Sequence, residues 1–353
     1  MRMRYSNLEN THKLHECISI SSDIVIATHM KPDGDAIGSC LGIYHTLKLY
    51  GKSAKIVISD SPASNLDFLI SEDIRKDMFI HNLRKEETEE VIKGCDLLIC
   101  LDFNAFHRTD TLENPLKESQ AVKVLIDHHL SPDSEAFNLV FSETEVSSAS
   151  ELLYHILKTL PLIDNDPRRL PLQAATALMT GMTTDTNNFA NSVYPSTFMM
   201  ASELIDAGVD RNNIIQKIYN SFKESRIRLQ GHILKDLMTI TEDNVAYIIL
   251  DKETMERYNV QEGDTEGFVN IPLSIDSVKM SILIKEDDGK ARVSIRSKIG
   301  TSANRCARTY FNGGGHENAA GGRLYIPADI ADIKAAAEYI ERNTHIFMTQ
   351  ENE

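Results

Sequence analysis

Three residues of types that ligate hard cations stand close together near the start of the chain: His29, Asp33 and Asp35, within Thr28-His29-Met30-Lys31-Pro32-Asp33-Gly34-Asp35. Two carboxylates and an imidazole at this spacing suit a divalent ion held by oxygen and nitrogen. Pro32 and Gly34 punctuate the segment, so the three side chains can converge on one point. Taken alone, the same residues also serve as helix caps and loop polar groups, because Asp and Gly favour turns for local reasons. Three later segments bring more of the same chemistry: Asp102, the triplet Asp127-His128-His129, and Asp185 in Gly181-Met182-Thr183-Thr184-Asp185. Five carboxylates gathered in one place cannot all stay ionised without cations between them. Two divalent metals would resolve that repulsion.

The elements that must position these groups are visible as apolar runs. Ile24–Ala27, Leu97–Leu101 and Val122–Ile126 read as buried strands, and each is followed by an acid or a histidine. From Ala36 onward, Ile37, Leu41, Tyr44 and Leu47 repeat at helical spacing. Parallel strands place their carboxyl ends along one edge, which brings residues distant in sequence into one crevice. The alternation of strand and helix patterns from about Leu14 to Asn188 predicts a doubly wound, mainly parallel sheet covered on both faces. Ser148-Ala149-Ser150-Glu151 reads as a capping box opening a helix over 152–160.

The remaining chain has a different texture. Residues 196–240 are helical in pattern, fitting either a connector or two more core helices of the first domain. After Thr241 come short β-like runs at Val245–Leu250, Lys279–Lys285 and Arg292–Arg296, with Asp288-Gly289 as a hairpin turn between the last two. Ala331–Asn343 reads as a closing helix. The predicted organisation is a catalytic α/β domain over 1–195, a helical connector over 196–240, a smaller α/β domain over 241–345 and a tail over 346–353, with the active site in the cleft. Near the end, Gly313-Gly314-Gly315-His316 is followed by Ala319-Ala320-Gly321-Gly322. The triple glycine is either a flexible turn or a nest of backbone N–H groups for an anion, with His316 adding a donor. Small residues there also let another element approach the backbone closely.

Composition narrows the classes. A chain of 353 residues exceeds a comfortable single core, so two domains are expected. A net charge of −15 argues against a broad basic surface for gripping long nucleic acid, though not against a short nucleotide held by metals and a few arginines. Five scattered cysteines (Cys17, Cys40, Cys95, Cys100, Cys306) form no Cys-x-x-Cys pair, which suits reduced thiols in a cytoplasmic protein. No apolar run approaches bilayer length, and the polar stretch Met1–Asn10 lacks a signal-peptide core, so neither membrane insertion nor export is expected.

These motifs together resemble the DHH phosphoesterase superfamily, through Asp127-His128-His129 and the three accompanying acidic segments. The glycine-rich tail is similar to that superfamily's associated C-terminal substrate-binding domain, so the resemblance spans nearly the whole chain. The subgroup it matches is the nano-RNase and pAp phosphatase type, where pAp is 3′-phosphoadenosine 5′-phosphate. The resemblance implies that one cation takes His29, Asp33 and Asp102, and a second takes Asp35, His128 and Asp185, with Asp102 shared. Ligands without thiolate favour manganese, with magnesium or cobalt as alternatives. His129 is assigned to the phosphate or leaving group, with a supporting role behind the metals as the alternative, and Asp127 either to orienting a histidine or to supporting a metal from behind its ligands. Arg108 lies at the family spacing from Asp102 and is either a phosphate ligand or a surface ion-pair residue. Arg296 resembles the family's phosphate-binding arginine, with Gly313, Gly314, Gly315 and His316 beside it.

The resemblance departs at Asn187, where many relatives carry glycine; Asn tolerates the left-handed conformation, so the change bears on substrate fit more than on catalysis. The expected reaction is two-metal hydrolysis of short oligoribonucleotides to mononucleotides, of pAp to AMP, or both, by a protein able to form a homodimer. The alternatives are an exopolyphosphatase or pyrophosphatase, a phosphodiesterase for dinucleotide messengers, or an inactive nucleotide sensor. The absence of an Arg-Lys-Lys signature counts against the pyrophosphatases.

Overall fold

A computed structural model describes residues 8–261 and 263–351; most of the polar stretch over 1–10 and the last two residues of the expected tail lie outside the described residues. The chain divides into two compact units, Met1–Ser221 and Phe222–Glu353.

The first unit is built on six strands: β1 (Ile24–Thr28), β2 (Ala54–Ile58), β3 (Met78–Ile80), β4 (Leu97–Leu101), β5 (Val122–Asp127) and β6 (Leu139–Ser142). They pair in the order β3-β2-β1-β4-β5-β6, and every pairing is parallel. Successive residues point to opposite faces, and both faces are buried. Ile24, Ile26, Ile99 and Ile126 enter one core, while Val25, Ala27, Leu98 and Leu125 enter the other. That double burial is why these strands read as unbroken apolar runs. The order reverses between β1 and β4, the point at which open α/β sheets form their ligand crevice.

The predicted capping box is present in altered form. Ser148 caps the helix Ala149–Lys158 by accepting from the Glu151 N–H. The Glu151 carboxylate, however, accepts from the N–H of Ser147, one residue earlier than a standard box requires. The stretch read as a connector is divided between the units. The helices Pro195–Asp206 and Arg211–Tyr219 send Met200, Leu204, Ile214 and Ile218 into the first unit's core. The helix Glu224–His232 instead sends Leu229 into a cluster of the second unit. The alternative reading, two more core helices, describes the first pair.

In the second unit β7 (Thr239–Ile240), β8 (Val245–Leu250), β9 (Met280–Asp287), β10 (Lys290–Ser297), β11 (Gly314–His316) and β12 (Ala319–Tyr325) form a mixed sheet in the order β11-β12-β10-β9-β8-β7. Only β8 and β9 run parallel. The hairpin at Asp288-Gly289 is as expected, with Gly289 at φ +67°. The closing helix begins later than its pattern suggested, at Ala336, and runs to Glu351. Among the described residues no helix is long and apolar enough to cross a membrane.

Candidate metal centre

The residues singled out by type and spacing fall at the carboxyl ends of three adjacent strands. His29 follows β1, Asp102 follows β4, and Asp127 is the last residue of β5. Asp102 carries a left-handed backbone, φ +62°, rare for a residue with a side chain and characteristic of positions held in place by function. The helix Gly34–Leu49 starts directly after β1, and Asp33 caps it by accepting from the N–H groups of Asp35 and Ala36. Capping and ligation are compatible here, because a carboxylate offers two oxygens.

Asp185 arrives from elsewhere, as the last residue of the helix Leu172–Asp185. This helix crosses the Gly34–Leu49 helix closely enough that a Cβ on Gly38 would meet the Ala177 carbonyl oxygen at 2.6 Å. A Cβ on Gly181 would meet Ser150 Oγ at 2.0 Å and Asp35 Oδ1 at 2.8 Å. Two glycines thus set the approach of Asp185 to the strand ends. Asn187, just beyond, has φ +46°, the conformation for which glycine is otherwise used.

Two of the triads that share Asp102 are His29 with Asp33 and Asp102, and Asp35 with Asp102 and His128; Asp127 and His129 form a third with it. His29 Nε2 lies 3.8 Å from Asp33 Oδ1 and 3.4 Å from Asp102 Oδ2. His128 Nε2 lies 3.4 Å from Asp102 Oδ1, 3.6 Å from Asp185 Oδ2 and 4.0 Å from Asp35 Oδ2. Nδ1 of His29 is 2.8 Å from the Met30 carbonyl oxygen. A proton on that nitrogen leaves Nε2 to ligate, the usual arrangement of a metal-binding histidine. His129 is set differently, with Nδ1 2.7 Å from Asp127 Oδ1. Asp127 therefore orients His129, and any role of this ring toward a phosphate falls to Nε2.

The electrostatics are those of a cation site. Burial and the charges of Asp102 and Asp185 push the Asp35 carboxyl well above its ordinary range. Burial works against the charged form of both histidines, but their carboxylate neighbours outweigh it. Asp102 and Asp33 lift His29 to about 9, and Asp102, Asp185 and Asp35 lift His128 to about 10. Asp102, though buried, is held well below the carboxylate range by His128 and His29. Its buried Oδ1 makes no hydrogen bond of good geometry to the described residues. A donor set of carboxylates and imidazoles, with one carboxylate raised by like charge and one common to both triads, fits a pair of divalent cations.

Arg108 sits half-buried in the short helix Phe106–Leu112, near enough for its charge to oppose protonation of His29. The other expected substrate residues belong to the second unit. There the triple glycine is not a free loop: Gly314–His316 is strand β11, paired with β12. A Cβ on Gly313 would strike the Gly321 carbonyl oxygen at 1.9 Å, so the glycine is required by backbone packing. The same register aligns Arg296, Ala319 and His316 across β10, β12 and β11. Residues paired this way share a face of the sheet, so two basic side chains flank a small one there.

Sequence reasoning did not find the residues behind Asp35. The N–H groups of Ala149 and Ser150 donate to Asp35 Oδ2 and Oδ1 at 2.6 and 2.9 Å. The only signal was the Ser-rich segment before Glu151, which reads as a helix cap.

The fold and the site define a metal-dependent hydrolase of phosphate esters. The chain belongs to the DHH family: residues 23–182 match the DHH family N-terminal domain, and residues 242–343 match the DHHA1 domain. It is 31% identical over 320 residues to the probable bifunctional oligoribonuclease and PAP phosphatase NrnA of Streptococcus mutans, covering 88% of this chain and 92% of that one. Against the NrnA of Bacillus subtilis, a bifunctional oligoribonuclease and PAP phosphatase, identity is 27% over 319 residues, covering 89% and 93%. Among solved structures, an exopolyphosphatase-related protein of Bacteroides fragilis superposes with a TM-score of 0.89 at 33% identity, covering 99% of this chain and 100% of that chain.

Proposed function

We propose that this protein hydrolyses short 5′-phosphorylated oligoribonucleotides and pAp, releasing mononucleotides. The observation that carries the reading is the pair of triads sharing Asp102, in a chain that matches 92% and 93% of two relatives bearing that double activity in their names. His29, Asp33 and Asp102 would hold one cation and Asp35, His128 and Asp185 the other, with Asp102 common to both. Bound cations, for which we favour manganese with magnesium or cobalt as alternatives, supply a nucleophile at neutral pH and polarise the phosphoryl oxygen.

The protein's own groups do the rest. The Asp102 carboxylate, kept ionised, sits between the two histidine nitrogens and fixes the spacing of the two triads. Asp127 holds the proton of His129 at Nδ1 and so orients Nε2 toward charge that develops on the phosphate or the leaving oxygen. To Arg108 we assign contact with the substrate phosphate, and to Arg296 and His316, aligned on the sheet of the second unit, recognition of a further phosphate. Gly313 and Gly315, on either side of Gly314, support that face by letting the backbone lie close against β12. Such anchoring suits short substrates, as does the net charge of −15, which gives long nucleic acid little to grip. The free thiols of Cys40, Cys95, Cys100 and Cys306, all buried, fit a cytoplasmic setting, and the reading includes a homodimer.

Asp102→Ala tests the assignment. It should abolish turnover of both substrates and remove both manganese-binding events in calorimetry; substantial activity in this variant would refute the shared-ligand assignment.

A further inference from the structure

Glu151 is a charged residue with no evident place in hydrolysis, and it is fully buried, 0% exposed. Burying a carboxylate is costly unless its hydrogen bonds are met. For Oε2 they are met by neighbours from separate segments. Oε2 accepts from the Ser147 N–H at 3.0 Å, from the Ser147 hydroxyl, and from the Thr197 hydroxyl at 2.7 Å. Nε2 of His155, one turn along the same helix, lies 3.6 Å from Oε1. The carboxylate is not needed to cap its own helix, because Ser148 Oγ already accepts the Glu151 N–H at 3.0 Å.

What it does hold is the segment Ser147–Ser150, tied on one side to the start of the helix Pro195–Asp206. This segment supplies the two N–H groups, from Ala149 and Ser150, that grip the oxygens of Asp35. Asp35 is itself almost fully buried and stands in the triad with Asp102 and His128. The connection runs without a gap from Thr197 through Glu151 and Ser147 to the two amides and on to Asp35. Each link is a hydrogen bond or a peptide step between buried groups, where a displacement is transmitted rather than absorbed.

We infer that Glu151 is a positioning residue: by locking Ser147–Ser150 it fixes the Asp35 carboxylate for its cation, and so sets the affinity of one of the two metal positions. The inference rests on reading Asp35 as a metal ligand. It also assigns a purpose to the Ser-Ser-Ala-Ser-Glu segment that helix capping leaves over.

The test is manganese binding to the full-length protein by titration calorimetry, without substrate. Asp185→Ala identifies which of two events belongs to the triad of Asp35. Glu151→Ala should weaken that event tenfold or more and leave the other within twofold. Glu151→Gln, which keeps the shape and an accepting oxygen, should recover binding to within about threefold, since the role is geometric. Should Glu151→Ala fail to fold, Ser147→Ala decides; it removes one hydroxyl donor and should weaken the same event about threefold. Unchanged binding in folded Glu151→Ala or in Ser147→Ala would overturn the inference. So would equal weakening of both events, or a Glu151→Gln variant as impaired as the alanine. A wild-type protein that binds no manganese would overturn the metal centre itself, and this inference with it.

Discussion

Gly181→Ala is a one-carbon change, made at a residue that is not itself a ligand, that should disable the centre. The new methyl would meet Ser150 Oγ at 2.0 Å, Ser150 Cβ at 2.9 Å and Asp35 Oδ1 at 2.8 Å. Rotating the Ser150 side chain relieves only the first of these, because its Cβ is too close as well. Ordinary contact begins near 3.4 Å, so Asp35 must retreat by about 0.6 Å and Ser150 Cβ by about 0.5 Å. Ser150 also donates its N–H to Asp35, so both move together. Overpacking of this kind costs about 1–3 kcal/mol, which lowers the melting temperature of a unit this size by roughly 3–10 °C. Misplacing a reacting group by a comparable distance costs about a hundredfold in rate. The assay pairs thermal melts with initial rates on pAp at saturating manganese. Gly94→Ala is the control, since nothing lies within 4 Å of its would-be Cβ. The control should match wild type, while Gly181→Ala should melt lower and turn over about a hundredfold more slowly. A Gly181→Ala protein with wild-type rate and melting temperature would refute the close-crossing argument.

Two further outcomes are expected. Loading the protein with manganese should release protons, because His29 and His128 are lifted to about 9 and about 10 by their carboxylate neighbours and must lose a proton to ligate. Raised values mean the rings are charged at neutral pH, so affinity should climb as pH rises toward 9. Calorimetry at pH 7.5 in two buffers of different ionisation enthalpy should show at least about one proton released per protein, and no buffer dependence would contradict the assigned protonation. Arg296→Ala should raise KM for pAp by about 10–100-fold, the worth of a lost charge-assisted hydrogen bond, with kcat within about threefold; a fall in kcat alone would contradict its role as an anchor.

Most of the centre was legible because parallel strands carry their chemistry at predictable places. An unbroken apolar run such as Leu97–Leu101 announces a strand buried on both faces, and the residue after it must lie at the sheet edge. Asp102 and Asp127 were locatable on that ground, as was His29. Asp185 was harder, since it ends a helix, and only its company in an apolar, glycine-bearing segment marked it. Less was legible where structure depends on contacts distant in sequence. The glycines at Gly313–Gly315 look like a loop because glycine has low strand propensity, yet Gly314 and Gly315 open β11, and Gly313 just before it packs so close to Gly321 that no side chain fits. The helix Ala303–Tyr310 also went unread, between two strands of the second unit. Glu151 shows the same limit: its position in a Ser-rich helix start suggests a local cap, and only the fold reveals that its partner Thr197 lies 46 residues away.

This metal centre is proposed to serve short nucleotide substrates. The most direct test is to incubate the purified protein with manganese and, separately, pAp, a 5′-phosphorylated RNA dinucleotide, a long single strand and pyrophosphate, resolving products by chromatography. Mononucleotides are expected from the first two, with little action on the others. Cleavage of pyrophosphate alone would leave the metal centre standing and contradict the substrate assignment, together with the roles given to Arg296 and His316.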